Sequence, residues 1–396
     1  MMYEWYSMCF GANNRGIAML KGFFKTILCI LTRCTPKYQY CYIKAVPSFE
    51  DNAVAIYESL PLDKFERIIW SVYDLRDPVP FELRSKTRFV TNGSIRDLYY
   101  GIISKYVFTT HGHFLPRIPS NQICVNVWHG MPYKGIGLLD GQSGRVDTYV
   151  CSTSELYQSI LSRAFGIPLQ RVLITGSPRN DLLNSTDPES VWSRAGIDRR
   201  KYDKFFFWLP TYRKSVFGYL GQDGVEVDNV FNMVDFPTRN FNEFLKAHNC
   251  LCIVKPHPMA PKKESVSTDN LLVIDEQWLW HRNLTLYPLV GQSDFLVSDI
   301  SSIMIDYMLL NLPIIVCFED SIEYKKSRTL LFEPIEEYLP GVIVDNYDDL
   351  INEISNCLAG VDRAADKRNA LMEDFHKYDD FSSKKRVIDV LFKEED

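Results

Sequence analysis

The sequence predicts an α/β protein built from two parallel sheets, each covered by helices. Three observations lead to this class. Two series of short apolar runs alternate with helical patterns, a polar stretch separates the two series, and the chain of 396 residues is long enough for two domains. Strands that alternate with helices are typical of parallel sheets, because parallel strands need a crossover connection.

In the first series, seven apolar runs are predicted strands: YCYIKAV, RIIWSVY, RFVTN, YVFTT, ICVNV, TYVCS and VLITG. Helical patterns lie between them at residues 52–60, 95–104 and 154–165. Ser152, Thr153 and Ser154 offer N-caps for the last of these helices. Strands that are apolar almost throughout indicate burial on both faces of a sheet.

Residues 184–204 are polar and charged and contain Pro188 and Gly196, which predicts a linker with a short helix. Six further strand-like runs follow: FFFWL, LCIV, LLVID, FLVSD, PIIVCF and VIVD. Residues 364–392 are predicted to form a last amphipathic helix. We therefore expect domains at residues 40–190 and 191–396, preceded by a basic segment at residues 1–39.

The segment WHGMPYKGIG, residues 128–137, follows the strand-like run QICVNV. Ligands of open α/β sheets bind beyond the carboxyl ends of strands. Gly130 lets the backbone approach a ligand, Lys134 supplies a positive charge, and His129 can transfer protons near neutral pH. The segment indicates either a site for phosphate chemistry or a glycine-rich loop with a hydrogen-bonded histidine.

Four other strand-like runs also end in polar or cationic residues. The residues after the four runs are Arg179 in LITGSPRNDL, Thr211 and Arg213 in FFFWLPTYR, Lys255 and His257 in LCIVKPHP, and Asp299, Ser301 and Ser302 in FLVSDISSIMIDYMLL. This recurrence favours a site at the carboxyl ends of the strands over an isolated loop motif.

The ordered set of motifs resembles the CDP-glycerol glycerophosphotransferases, a family that includes the teichoic acid polymerases and related capsule polymerases. The family pattern of WHGTPLK-x-x-G, GxPRND, PT[FY]R, Lys/Arg-x-His and TDYSS with N-x-P appears here as WHGMPYKGIG, GSPRND, LPTYR, KPHP and SDISSIMIDYMLLNLP. Met131, Tyr133, Ser177 and Ile300 depart from the pattern. These departures leave the charged and imidazole positions intact, and they leave the donor and acceptor open.

The resemblance implies a GT-B-like fold, in which two Rossmann-like domains face each other across a cleft and the last helix commonly packs back on the first domain. It also implies transfer of glycerol phosphate from CDP-glycerol to a hydroxyl of a teichoic acid-like or capsular glycan, with release of CMP. The CDP-activated donor is then a substrate, and we expect no cofactor and no catalytic metal.

Three other readings stay open. A transferase of the same fold would move ribitol phosphate or hexose-1-phosphate. A nucleotide-sugar glycosyltransferase would share the diphosphate site but attack a sugar carbon. A nucleotide-binding protein without catalytic activity is disfavoured by the two imidazoles.

Attack at phosphorus requires groups that hold the diphosphate, neutralise its charge and deprotonate or orient the hydroxyl. His129 is the candidate general base and His257 the candidate donor to a phosphate oxygen, although the sequence leaves these roles exchangeable. Ser301 and Ser302 open a helix, where unpaired amides favour an anion.

The remaining candidates hold phosphate or nucleotide, or shape the loops around them. Arg213 suits phosphate oxygens because its guanidinium is planar, and Lys255 and Thr211 are placed with it on the donor side. Asp299 either receives a ribose hydroxyl or fixes the Ser301 loop. Lys134 and Gly130 belong to the acceptor or phosphate side, and Arg179 either shapes the turn between the domains or touches phosphate.

Composition limits the class further. The net charge of -6 argues against a general nucleic-acid binder. The sequence has no Cys-x-x-Cys pair, and His111 with His113 offers too few ligands for zinc. The ten cysteines mostly lie in apolar runs, such as those of Cys124, Cys252 and Cys317, which predicts buried free thiols.

The N-terminal run IAMLKGFFKTILCIL is interrupted by Lys21 and Lys25, so it is too short and too charged to span a bilayer. It predicts either a basic amphipathic helix on an anionic membrane surface or a core-packing helix with two solvated lysines. With the lipid-linked acceptors of the family, we expect a cytoplasmic protein that is peripheral on the inner face of the cell membrane.

Overall fold

The computed structural model describes residues 26–112, 118–184, 187–216 and 223–392. These residues form two compact units. Unit 1 takes its described residues from Met1–His129, Gly137–Arg179 and Ser382–Asp396, and unit 2 from Gly130–Ile136 and Asn180–Phe381. The chain therefore passes between the units inside the WHGMPYKGIG motif and again after Arg179, ahead of the domain boundary predicted at residue 190.

Each unit contains one parallel sheet. The seven strands of unit 1 are β1 (Tyr38–Lys44), β2 (Arg67–Val72), β3 (Thr87–Thr91), β4 (Ser104–Thr109), β5 (Ile123–Asn126), β6 (Tyr149–Ser152) and β7 (Val172–Ile174), in the order β3-β2-β1-β4-β5-β6-β7. The six strands of unit 2 are β8 (Lys204–Leu209), β9 (Cys250–Val254), β10 (Leu271–Val273), β11 (Phe295–Ser298), β12 (Ile314–Cys317) and β13 (Val342–Val344), in the order β10-β9-β8-β11-β12-β13. All thirteen predicted strands are confirmed.

Helices connect these strands. In chain order they are α1 (Asp51–Ser59), α2 (Ile95–Ile103), α3 (Glu155–Phe165), α4 (Pro188–Ala195), α5 (Thr238–Ala247), α6 (Glu276–Trp280), α7 (Leu286–Val290), α8 (Ile303–Tyr307), α9 (Ser321–Ser327), α10 (Tyr347–Leu358), α11 (Ala365–Phe375) and α12 (Ser383–Phe392). The predicted cap of α3 is confirmed, since the Ser154 hydroxyl accepts from the Tyr157 amide. The short helix predicted in residues 184–204 is α4, which begins at Pro188.

Apolar side chains from both faces of the sheets form the cores. In unit 1, Tyr42, Ile69, Val107 and Cys124 pack together with α2 residues, and in unit 2 a larger cluster is built around Trp208. The described cysteines are free thiols, and Cys124, Cys252 and Cys317 are buried, as predicted.

The prediction of one helix over residues 364–392 is wrong. The stretch forms α11 in unit 2 and α12 in unit 1, because the helix ends at Phe375 and Phe381 adopts a left-handed backbone conformation, with φ of 50°. α12 packs against α1 in unit 1, and its last residue, Phe392, contacts the Phe65 ring at 5.4 Å between centroids.

The predicted basic segment at residues 1–39 is described only in part. Residues 1–25, with Lys21 and Lys25, lie outside the described residues, and residues 26–34 are helical. Leu28 is buried in this helix, whereas Ile27, Ile30 and Leu31 are 37%, 56% and 49% exposed. No helix in the described part of the chain is long and apolar enough to cross a membrane.

Candidate functional site

The predicted site residues follow the carboxyl ends of five strands, as the sequence patterns indicated. In unit 1, His129 comes three residues after β5 and Arg179 lies in the turn that follows β7. In unit 2, Thr211 and Arg213 follow β8, Lys255 and His257 follow β9, and Asp299, Ser301 and Ser302 follow β11.

The loop that carries His129 is held by Asn126, the last residue of β5. Its side-chain oxygen accepts from the Trp128 amide at 3.0 Å, and its side-chain nitrogen donates to Asp147 at 3.1 Å. Trp128 has a left-handed φ of 58° and Gly130 a φ of 136°, which only glycine adopts readily. The chain thus turns sharply on both sides of His129, and this turn places its ring.

The His129 ring is oriented by a backbone carbonyl. Its Nδ1 atom lies 3.0 Å from the Thr110 oxygen. A carbonyl only accepts, so Nδ1 carries the proton and Nε2 of the neutral ring keeps its lone pair. The pKa of His129 is lowered to about 4, mainly by burial; the Thr110 contact opposes this shift, and the nearby charges of Arg179 and Arg145 add to it. The ring is therefore neutral at pH 7 and able to accept a proton.

His111 stacks on His129 with 4.1 Å between ring centroids and an interplanar angle of 9°. Its Nδ1 atom lies 2.8 Å from the Thr110 hydroxyl. In the sequence His111 is paired with His113, and two histidines are too few ligands for zinc; His113 lies outside the described residues. His111 follows β4 by two residues, and this position after a strand end is the sequence signal that could have placed it beside His129.

Arg179 supports the His129 loop from the side. Its Nη1 atom donates to the His129 carbonyl at 2.8 Å and lies 3.3 Å from Glu50 Oε1. Asn52 donates to the Trp128 carbonyl at 3.1 Å, and its own oxygen accepts from the Arg179 amide at 3.0 Å. In this structure Arg179 is 6% exposed and braces the loop, while contact with phosphate stays a prediction.

In unit 2, Arg213 is enclosed by two carboxylates. Its guanidinium lies 2.8 Å from Asp299 and 2.6 Å from Asp320, and it is 2% exposed. Asp299 also accepts from the amide of Thr211 at 3.0 Å and from its hydroxyl at 2.9 Å. These bonds join the ends of β8 and β11. In this structure Asp299 fixes the loops that follow β8 and β11. Direct contacts of Arg213 and Asp299 with the donor substrate stay predictions.

Lys134 belongs to unit 2 because its segment pairs with residues 329–331. The Gly135 amide donates to the Thr329 carbonyl at 2.8 Å, and Lys134 forms an isolated bridge with Leu330. The Lys134 ammonium lies 3.8 Å from Asp223. Burial lowers the pKa of Lys134 to about 8, although the Asp223 and Asp299 carboxylates oppose the shift.

Two aromatic rings connect the cationic groups of unit 2. The Lys134 ammonium lies 5.7 Å from the centroid of Tyr212 and 5.4 Å from that of Tyr324. Tyr212 in turn lies 4.9 Å from the His257 ring, and Tyr324 5.0 Å from the Arg213 guanidinium. The structure thus brings Lys134, Arg213 and His257 into one cluster, although they lie far apart in the sequence.

His257 is held in the opposite tautomer to His129. Its Nδ1 atom accepts from the Met259 amide at 3.1 Å, so Nε2 of the neutral ring carries the proton. Lys255, two residues earlier, is 7% exposed and lies 2.5 Å from Glu276. Its charge is therefore already paired with a carboxylate, and its contact with the donor stays a prediction.

Ser301 and Ser302 precede α8, as predicted. Both are partly exposed, and the Ser302 side chain forms no capping hydrogen bond to α8. α8 continues as a 3₁₀ turn at Met308–Leu310. In the part of the chain that the structure describes, no group of three or more His, Cys, Asp or Glu side chains is arranged to hold a metal ion.

Several residues of these clusters escaped the sequence analysis. Glu50, Asn52, Asp223 and Tyr324 were not among the candidates because each contacts a partner that lies far from it in the sequence, and Tyr212 lies in the motif LPTYR but was given no role. Glu50 and Asn52 lie in the segment FEDNAVAIYESL, residues 49–60, which is also similar to the family; this similarity is a signal for them in the sequence.

A family model for CDP-glycerol:poly(glycerophosphate) glycerophosphotransferase matches residues 29–393, which include every candidate residue described above. The chain belongs to this family. The match confirms the family that the sequence motifs indicated.

The individual relatives share about a quarter of the aligned residues with this chain. The teichoic acid ribitol-phosphate polymerase TarK of Staphylococcus aureus is 26% identical over 350 residues, which cover 81% of this chain and 65% of TarK. The related TarL of the same organism is 25% identical, with 51% of its length covered. A teichoic acid glycerol-phosphate transferase of the same organism is 24% identical over 87% of this chain and 90% of its own length. The chain thus spans about half to two thirds of the two ribitol-phosphate polymerases.

Solved structures of the wall teichoic acid polymerase TagF show the same fold. One covers 92% of this chain and 91% of its own, with a TM-score of 0.73 and 19% sequence identity. The similarity confirms the GT-B-like fold class with two parallel α/β sheets.

Proposed function

We propose that this protein transfers glycerol phosphate from CDP-glycerol to a hydroxyl of a teichoic acid-like or capsular glycan, with release of CMP. The observation that carries the proposal is the family match over residues 29–393, which contains both imidazoles and the loops that hold them. The enzyme would belong to the transferases of substituted phosphate groups.

The two histidines divide the proton transfers in this proposal. His129 offers an unprotonated Nε2 and removes the proton of the acceptor hydroxyl. His257 offers an Nε2–H donor and stabilises a phosphate oxygen as negative charge develops on it. The tautomers support this assignment over the exchanged one, which the sequence had left open.

The donor diphosphate is proposed to lie at Ser301 and Ser302, whose hydroxyls are partly exposed. Arg213, Asp299 and Thr211 hold the loops of that site through their mutual hydrogen bonds. On the acceptor side, Lys134 supplies positive charge, and Gly130 and Arg179 shape the loop of His129.

The acceptor is proposed to be lipid-linked and the protein to lie on the inner face of the cell membrane. Three side chains of the helical residues 26–34 support this, since Ile27, Ile30 and Leu31 are exposed. Apolar side chains beside basic ones suit the boundary between lipid headgroups and acyl chains.

Ribitol phosphate is the second candidate unit. TarK and TarL, both ribitol-phosphate polymerases, are 26% and 25% identical to this chain, compared with 24% for the glycerol-phosphate transferase. These identities are too similar to choose the polyol, so the donor must be measured.

The test is nucleotide release by the purified protein from CDP-glycerol, CDP-ribitol, a UDP-sugar or no donor, each with a lipid-linked or capsular acceptor. CMP from CDP-glycerol alone is the expected result, and CMP from CDP-ribitol alone would change the polyol. UMP from the UDP-sugar would indicate a sugar-phosphate transferase. UDP would mean attack at the sugar carbon and would contradict the roles of His129 and His257. The His129→Asn variant serves as the background control.

A further inference from the structure

A second cationic group lies in unit 1 at the end of the sheet opposite to His129. Arg67 is the first residue of β2 and Arg88 the second residue of β3, so both lie at the amino ends of parallel strands. His129 follows the carboxyl end of β5 in the same sheet. β2 and β3 also lie three and four strand positions from β5, so this group is separate from His129.

The two arginines converge on one phenol. Arg67 and Arg88 each donate from Nη1 to the hydroxyl of Tyr100, at 3.3 Å in both cases. The two Nη1 atoms are thus no further apart than twice that distance. Burial alone would raise the pKa of Tyr100, but the hydrogen bonds and charges of Arg67 and Arg88 outweigh it and lower the pKa.

These charges have no carboxylate within ion-pair distance among the described residues. Arg67, Arg88 and Arg96 form no ion pair in the described part of the chain. Arg213 and Arg179, by contrast, both lie against carboxylates. Two guanidinium groups held close together without a counter-charge repel each other, so an anion that contacts Arg88 from the open side reduces that repulsion.

An open pocket lies beside the arginines. It has a volume of about 330 Å³ and is lined by Arg88, Arg96, Tyr99, Tyr100, Phe89 and Val90. The arginines present N–H donors, while the aromatic and aliphatic side chains provide an apolar wall. This combination fits a phosphate group attached to a small organic part.

We propose that the pocket of Arg88, Arg96 and Tyr100 binds the phosphate of a polyol phosphate ester, at a second site apart from the candidate active site. Such a phosphate occurs both in an anionic lipid headgroup and in a polyol phosphodiester chain. Ile95 and Tyr99 on the adjoining face of α2 are 88% and 53% exposed, which suits a lipid headgroup at a membrane surface.

The test compares the Arg88→Gln/Arg96→Gln double variant with the Arg76→Gln/Arg200→Gln double variant. Arg76 and Arg200 are 89% and 91% exposed, and each pairs with an aspartate in its own loop, so the control removes the same charge elsewhere. Binding of glycerophosphoglycerol is measured by calorimetry at low salt. Binding to phosphatidylglycerol vesicles is measured by sedimentation against phosphatidylcholine vesicles.

We expect the pocket variant to lose about tenfold or more in affinity in at least one arm, while the control variant keeps the wild-type value. Loss only with vesicles assigns the pocket to a lipid headgroup, and loss with the soluble ester assigns it to a phosphodiester chain. Equal binding by the pocket and control variants in both arms overturns the proposal.

A conservative variant tests the geometry. Tyr100→Phe keeps all three arginines but removes the oxygen that holds Arg67 and Arg88, so a several-fold loss of affinity is expected at unchanged net charge. Nucleotide release from CDP-glycerol by the pocket variant is measured alongside, with a soluble acceptor. If only the pocket proposal is wrong, the wild type releases CMP from CDP-glycerol while the pocket and control variants bind both probes equally. If the proposed function is wrong, the wild type itself releases no CMP from CDP-glycerol.

Discussion

The Nδ1 atom of His129 lies 3.0 Å from the carbonyl oxygen of Thr110, and this contact determines which nitrogen of the ring is free to accept a proton. His257 has the reverse arrangement, because its Nδ1 accepts from the Met259 amide. One ring is thus prepared as an acceptor and the other as a donor.

Catalysis that uses His129 as the general base should persist at acidic pH. A general base works when it is unprotonated, and burial lowers the pKa of His129 to about 4. We expect the acidic limb of the kcat/KM profile near pH 4, well below the ordinary pKa of about 6.5 for histidine. The profile is measured with CDP-glycerol over the range in which circular dichroism shows the folded protein.

His129→Ala should lower kcat by about a hundredfold or more, without loss of fold. His248→Gln is the matched control, because His248 is exposed and contacts only its own helix end. An acidic limb near pH 6.5 in the wild type, or full activity in His129→Ala, would remove His129 as the base.

His257→Ala should also lower kcat strongly, because it removes the donor to the phosphate oxygen. His257→Asn keeps a side-chain N–H and should retain more activity than the alanine variant. Steady-state kinetics of both variants, with thermal unfolding as a check on folding, measure this. Equal and wild-type turnover in the two variants would contradict a role in the transition state.

Arg213→Ala should affect stability as well as the donor site. It leaves Asp299 and Asp320 buried or half-buried without their cation, and removing one partner of a buried pair costs about 3 to 5 kcal/mol. We expect a lower free energy of unfolding in urea together with a raised KM for CDP-glycerol. Arg76→Ala, at an exposed and solvent-screened pair, should change the free energy of unfolding far less than Arg213→Ala does. An unchanged donor KM would remove Arg213 from the donor site.

Deprotonation of Lys134 should cause the fall of kcat/KM at alkaline pH. Its pKa is lowered to about 8, so its positive charge is present below that pH and is lost as the pH rises through it. If the charge holds phosphate, kcat/KM should fall above about pH 8, and Lys134→Met should be poorly active throughout. Lys134→Arg keeps its charge to higher pH and should move the limb upward. A limb at the same pH in Lys134→Arg and the wild type would assign it to another group.

The N-terminal segment should carry part of the membrane affinity. Deletion of residues 1–33 removes the exposed Ile27, Ile30 and Leu31 together with four basic residues, so binding to anionic liposomes should drop. Nucleotide release with a soluble acceptor should persist. Equal liposome binding before and after truncation would end the role of this segment.

The sequence by itself determined the two parallel sheets, all thirteen strands and the positions of the candidate residues after strand ends. Apolar runs and the residues that follow them are local signals, and a parallel sheet brings the carboxyl ends of its strands to one edge. The ordered motifs were sufficient to indicate the family.

Only the tertiary structure decided which charges are free and which nitrogen carries a proton. Arg213 and Lys255 look alike in sequence as available cations, yet each lies against a carboxylate that comes from 21 or more residues away. The stacking of His111 on His129, and the convergence of Arg67 and Arg88 on Tyr100, likewise join separate strands and helices. Ion pairing, burial and tautomer depend on distances between residues that are remote along the chain, and only folding sets those distances.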